Sequence, residues 1–219
     1  MCAGAQRYEP LAASVQASLH ASVADRAAPK LVFDTEQEGQ AWLFAMSGRL
    51  ANLIPDEKTR VDLLTTVQYE AKRAGLDPQM VLGVIEVESK FRKYAVSRAG
   101  ARGYMQVMPF WVDLIGTAQQ NLFSLRTNLR YGCVILRHYL DIERGDTYGA
   151  LARYNGSLRK QNDYPVKVMR AWQTRWGLPG NTGSRMRSGT LAPMRYTGGL
   201  DYTSSLRREM TSKSRDRDD

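Results

Sequence analysis

The sequence predicts a mainly α-helical domain flanked by two loose ends. Three observations predict it: apolar residues recur every three or four positions through most of residues 35–177, helix-capping side chains punctuate those runs, and no alternating apolar and polar stretch makes a convincing strand. A chain of 219 residues with 43% hydrophobic content can bury one ordinary core, so one domain with appendages is expected.

Residues 1–34 are Ala-rich and interrupted by Pro10 and Pro29, with one amphipathic stretch at 11–23. They read as an N-terminal arm that offers little to a core. Thr35 followed by Glu38 forms a capping box, and Trp42, Leu43, Met46, Leu50 and Leu53 mark one face of a helix that Pro55 ends. Asp56 caps a second helix bearing Val61, Leu64, Val67 and Ala71, and Gly75 stands where a left-handed residue closes it. In Asp77-Pro78 the aspartate caps, while proline at the first helical position loses no hydrogen bond. Met80, Val81, Val84, Ile85 and Val87 fill the largely buried helix that follows, ending near Ser89. A loop over 90–103 contains Gly100 and Gly103 and leads to a short apolar segment at 105–115. Further helices are indicated at about 125–143, 148–154 and 164–176. After Trp176, Gly, Ser, Thr, Arg and Met scatter without period, so 178–219 read as a disordered basic tail and 35–177 as the domain proper.

Composition narrows the function classes. Lys+Arg 31 against Asp+Glu 22 gives a net charge of +9, which draws a protein toward nucleic acid, anionic lipid or bacterial wall without choosing among them. No nucleic-acid-binding motif accompanies the charge, so a nucleic-acid partner is not expected. With two cysteines and two histidines, His20 and His138, in no cluster, neither a disulfide framework nor a metal site is predicted, and no cofactor is expected. Cys133 lies inside an apolar helical run and reads as a core thiol. The opening residues lack the apolar core of a signal peptide, and no run approaches the roughly 18 apolar residues of a membrane helix. Cys2, followed by small residues, is either a chance cysteine or resembles the start of a mature lipoprotein.

The most unusual place for a carboxylate is Val84-Ile85-Glu86-Val87-Glu88-Ser89, where two acids punctuate a run that otherwise belongs inside. Burial raises a carboxyl's pKa and can keep it protonated near neutral pH, as a general acid requires. Successive helical residues turn by about 100°, so Glu86 and Glu88 point to nearly opposite sides and cannot form a close pair. Either one faces a cleft and the other solvent or a structural partner, or both are exposed or salt-bridged.

A resemblance bears on that choice. Glu88-Ser89-Lys90-Phe91, then Ser97-Arg98-Ala99-Gly100-Ala101-Arg102-Gly103-Tyr104-Met105-Gln106, then Arg153-Tyr154-Asn155-Gly156-Ser157 resemble, in order and rough spacing, the three motifs of the soluble-lytic-transglycosylase catalytic domain. The resemblance covers about residues 65–176 and implies a lysozyme-like, SLT-type fold with an active-site cleft. Tyr104 stands where leucine is usual, and Gly156-Ser157 where Ala-Gly is usual. Both departures bear on substrate preference more than on chemistry. Carried over, Glu88 matches the family's catalytic acid. Ser97, Met105 and Gln106 match cleft-lining positions, Tyr154 and Asn155 the pair facing the catalytic carboxyl and the sugar, and Tyr164 a second cleft tyrosine.

The resemblance implies a peptidoglycan lytic transglycosylase that cleaves the bond from N-acetylmuramic acid to N-acetylglucosamine and leaves 1,6-anhydromuramyl ends. Glu88 would be the acid and then the base. Peptidoglycan strands would be the partner, and the periplasm or cell envelope of a bacterium the location, with outer-membrane association if Cys2 is lipidated. Two alternatives stay open: a goose-type-lysozyme-like hydrolase, for which Asp113 and Asp141 are available as second carboxylates, and a non-catalytic module that docks on glycan.

Overall fold

The computed structural model describes residues 6–24, 27–117, 119–157 and 163–177. Cys2 and the tail expected over 178–219 lie outside the described residues. The protein is mainly helical: α1 (Ala13–Ala24), α2 (Glu36–Leu50), α3 (Glu57–Arg73), α4 (Pro78–Ser89), α5 (Phe110–Ile115), α6 (Leu125–Ile142), α7 (Thr147–Tyr154) and α8 (Tyr164–Arg170), which runs on into a π-helical turn, Ala171–Trp176. The described residues contain isolated bridges but no named strand; Val96 pairs with Arg102, and Arg102 with Val107, between α4 and α5.

The caps act where the sequence puts them. The Thr35 hydroxyl accepts from Glu38 N while the Glu38 carboxylate accepts from Thr35 N. Asp56 accepts from Thr59 N at 2.7 Å, and Asp77 from Gln79 N at 2.7 Å. Each satisfies amide groups that a helix start leaves without partners.

α4 and α6 form the centre. Met80, Val81, Leu82, Val84 and Ile85 of α4 are buried, as are Leu129, Tyr131, Cys133, Val134, Ile135 and Leu136 of α6. Cys133 is a free, buried thiol. α4 packs against α8 and the π-helical turn, and Gly83 makes the approach close: a Cβ there would lie 3.1 Å from Val168 O and 3.2 Å from Trp172 N. α3 is tied to α6 by a buried ion pair. Arg130 Nη2 and Nε reach Glu70 Oε1 at 2.8 and 3.1 Å, Arg73 Nε reaches Glu70 Oε2 at 3.0 Å, and Arg126 Nε stands 3.9 Å from Oε1, so the buried carboxylate is met by three guanidinium groups.

One expectation needs correction. The N-terminal arm does contribute to the core: Val15, Leu19 and Val23 are buried in it, on a helix packed against α5 and α6. The physical reason lies in α5, whose last carbonyls have no partner within so short a helix. Gln16 Nε2 donates to Leu114 O at 2.6 Å, and the His20 ring nitrogen Nδ1 lies 3.1 Å from Ile115 O. The apolar segment expected at 105–115 is helical only from Phe110. Before it, Gly103 and Gln106 take positive φ, 77° and 49°, and turn the chain back on itself.

Candidate active site

Glu88 sits in the last turn of α4, and the chain leaves that helix by a sharp route: Lys90 and Phe91 both adopt left-handed backbone, φ 52° and 60°. Two consecutive non-glycine residues in that region are held against their own preference. Packing supplies the hold, since Phe91 is buried with its ring edge-on to Trp176 at 5.3 Å. Ser89, also buried, donates its hydroxyl to Ile85 O at 3.1 Å, an internal bond that leaves it no reach into a cleft.

The two glutamates separate as helical geometry requires. Glu86 faces the π-helical turn, where its carboxylate receives the Arg175 guanidinium and Trp176 Nε1, the latter at 2.8 Å. Glu88 turns the other way. It retains partial exposure, yet its carboxyl is desolvated enough to raise its pKa from 4.5 to about 8, with a hydrogen bond from Tyr164 opposing part of that rise. Tyr164, at the start of α8, is wholly buried. Among the described residues no second carboxylate figures in what shifts Glu88. Asp141 is paired with Arg137 one turn away in α6, and Asp113 is exposed on α5.

Tyr154, at the end of α7, lies close enough to Glu88 for the two ionisations to oppose each other, and burial holds its phenol well above the usual range. Its hydroxyl donates to Met105 O at 2.8 Å. Asn155 follows as the helix cap and is buried. Tyr154 and Tyr164, 66 and 76 positions beyond Glu88 in the chain, are thus brought to it from two other helices.

The other expected residues fall in the loop between α4 and α5 and do different things. Ser97 is partly exposed, and its hydroxyl accepts from Ala101 N at 3.1 Å, closing the turn through Gly100. Gln106 is buried, its side-chain amide donating to Gly103 O and Ala95 O at 2.9 and 3.0 Å. Met105 departs from the cleft-lining role expected of it. Its side chain has no exposure and packs over Gly132 of α6, where a Cβ would come within 2.8 Å of Met105 Cβ. What Met105 presents to Tyr154 is its carbonyl.

The loop is buttressed by residues that the sequence reading passed over. Asn128 accepts from Met105 N at 2.8 Å and donates to Arg102 O and Leu122 O at 2.8 and 2.9 Å, so one buried amide satisfies three main-chain groups. Gly103 gives it room: a Cβ there would lie 2.3 Å from Asn128 Nδ2. The signal was an asparagine on the apolar face of α6, a residue type that is rarely buried without partners. Gln6 is the other: its Nε2 donates to Gln106 O at 3.1 Å and its Oε1 accepts from Met108 N at 2.9 Å.

Comparison with known proteins bears on this arrangement. The transglycosylase SLT domain family matches residues 65–171, a span containing Glu88, the loop, Tyr154 and Tyr164. The matched span, just under half of the chain, is of the transglycosylase SLT type. A transglycosylase from Enterobacteria phage PRD1 is 33% identical over 111 residues, covering 48% of this chain and 41% of the phage protein. A membrane-bound lytic murein transglycosylase C from Actinobacillus pleuropneumoniae is 54% identical over 46 residues, 21% of this chain and 13% of that protein. The chain therefore spans well under half the length of these relatives. The X-ray structure of an inactive mutant of lytic transglycosylase Slt from Pseudomonas aeruginosa aligns with 64% of this chain and 27% of that one, at 20% identity and a TM-score of 0.41.

Proposed function

We propose that the SLT domain cleaves the β-1,4 bond between N-acetylmuramic acid and N-acetylglucosamine in peptidoglycan, as a lytic transglycosylase with Glu88 as its single acid and base. The observation that carries the reading is the Glu88 carboxyl: desolvated, raised to about 8 and hydrogen-bonded by Tyr164, with no second carboxylate acting on it. Glycosidases that rely on two carboxylates hold them about 5–5.5 Å or about 6.5–9.5 Å apart. One acid suffices when the substrate supplies the rest, as in substrate-assisted cleavage.

In the first step Glu88, protonated at neutral pH, gives its proton to the bridging oxygen as the bond to the muramyl anomeric carbon breaks. The carboxylate so formed then takes the proton of the muramyl C6 hydroxyl, whose oxygen bonds to the anomeric carbon and closes a 1,6-anhydro ring. The proton ends on Glu88 again, so no water is consumed and the enzyme is returned unchanged. Tyr164 steadies the carboxylate between the two steps, and Tyr154 and Asn155 hold sugar and carboxyl in register. Ser97 and Gln106 shape the wall of the cleft. The relatives named membrane-bound lytic murein transglycosylase C support a bacterial cell-envelope location, with glycan strands as the partner and outer-membrane association if Cys2 is lipidated.

Digestion of purified sacculi with wild type and Glu88→Gln, with mass spectrometry of the released muropeptides, tests the reading. Anhydro-ended products that vanish in the variant are expected. Products heavier by one water would identify a hydrolase, and no products from wild type would point to a glycan-docking module.

A further inference from the structure

The family match begins at residue 65, yet the loop that meets Tyr154 is held from outside that span. Gln6 is 4% exposed although it belongs to the arm preceding α1. Its side-chain amide makes two bonds of opposite sense to one short stretch of main chain, donating to Gln106 O at 3.1 Å and accepting from Met108 N at 2.9 Å. This is the bonding pattern of an added strand residue, supplied here by a side chain. The stretch it grips needs a grip: Gln106 is a non-glycine residue at φ 49°, a conformation that local preference disfavours. One residue back, Met105 O receives the Tyr154 hydroxyl. The arm is fastened further along by Tyr8, edge-on to Phe110 at 5.7 Å, and by Glu9, 3.5 Å from Arg153, the neighbour of Tyr154.

We propose that Gln6 is a positioning residue of the active site: by clamping the main chain at Gln106 and Met108 it fixes the carbonyl that orients Tyr154 beside Glu88, so the N-terminal arm is a working part of the catalytic unit. The proposal rests on the transglycosylase reading for its kinetic consequence only. The clamp itself is testable without turnover.

Gln6→Met keeps the volume and removes both bonds, whereas Gln6→Glu keeps the acceptor for Met108 N. Gln16→Met removes a bond of the same kind, to Leu114 O at the end of α5, and serves as a control whose partner lies outside the loop. Kinetics on sacculi are expected to show kcat lowered on the order of tenfold in Gln6→Met, the scale of effect expected when a catalytic group is displaced by a fraction of an ångström. Gln6→Glu should fall less, and Gln16→Met should keep wild-type kcat. Carbon-13 NMR of the Glu88 carboxyl in each full-length protein gives the second readout. Its titration midpoint should move toward the ordinary carboxylate range in Gln6→Met and stay put in Gln16→Met. Unchanged kcat and an unchanged titration in Gln6→Met would overturn the proposal, as would equal losses in Gln6→Met and Gln16→Met. If wild type cleaved no glycan, the transglycosylase reading would fail, while the titration would still decide the clamp.

Discussion

Replacing Glu88 by glutamine should make this protein more stable, and by an amount that grows with pH. The carboxyl is carried from 4.5 to about 8 by desolvation, so ionising it in the fold costs about 5 kcal/mol more than ionising it in the unfolded chain. The folded pKa is raised, so this penalty is absent below pH 4.5, accumulates as pH rises toward 8, and is complete above it. At pH 7 it amounts to about 3 kcal/mol. Glutamine has nearly the same shape, can still accept from Tyr164, and carries no charge at any pH. The stability gained by Glu88→Gln should therefore be near zero at pH 4, about 3 kcal/mol at pH 7, and about 5 kcal/mol at pH 9. Urea unfolding of both proteins at those three pH values measures it directly. At pH 7 the thermal midpoint should rise by roughly 6–12 °C for a domain of this size. A difference that stays flat with pH, or a variant less stable than wild type at pH 9, would refute the claim that this carboxyl is desolvated.

The proposed mechanism uses the protonated carboxyl of Glu88, so kcat/KM is expected to fall tenfold per pH unit above about 8, and a pH–rate profile on sacculi that declines already from pH 5 would contradict it. Asn128→Ala should unhook three main-chain groups of the segment between α4 and α6 at once. A loss of about 3 kcal/mol or more in denaturant unfolding is expected, with wild-type stability in the variant the contrary result.

Much of this architecture could be read from local pattern. The helices over 36–50, 57–73 and 78–89 begin at the aspartates and the threonine that cap them, because capping is a contact between neighbours in sequence. The opposed fates of Glu86 and Glu88 follow from the helical turn alone. What the sequence concealed depends on distance along the chain. Gln6 meets Gln106 across 100 residues, and nothing in an Ala-rich arm signals that its amide will be buried. Met105 sits in a motif that suggested a cleft, but its side chain was claimed by the gap above Gly132, since an apolar residue beside a glycine on a central helix gains more from burial than from lining water. The helix of residues 110–115 is shorter than its apolar run because the left-handed turn at Gln106 must come first.

The Glu86 contact carries a practical meaning for anyone dividing this chain into parts. The family match stops at residue 171, but Trp176 is wholly buried, donates to Glu86 from the far side of α4, and covers Phe91 at the strained exit from Glu88. A chain cut at the edge of the match would leave a carboxylate without its cation, an aromatic ring without its cover, and the helix bearing Glu88 without one wall. The family match ends before the packing around Glu88 does.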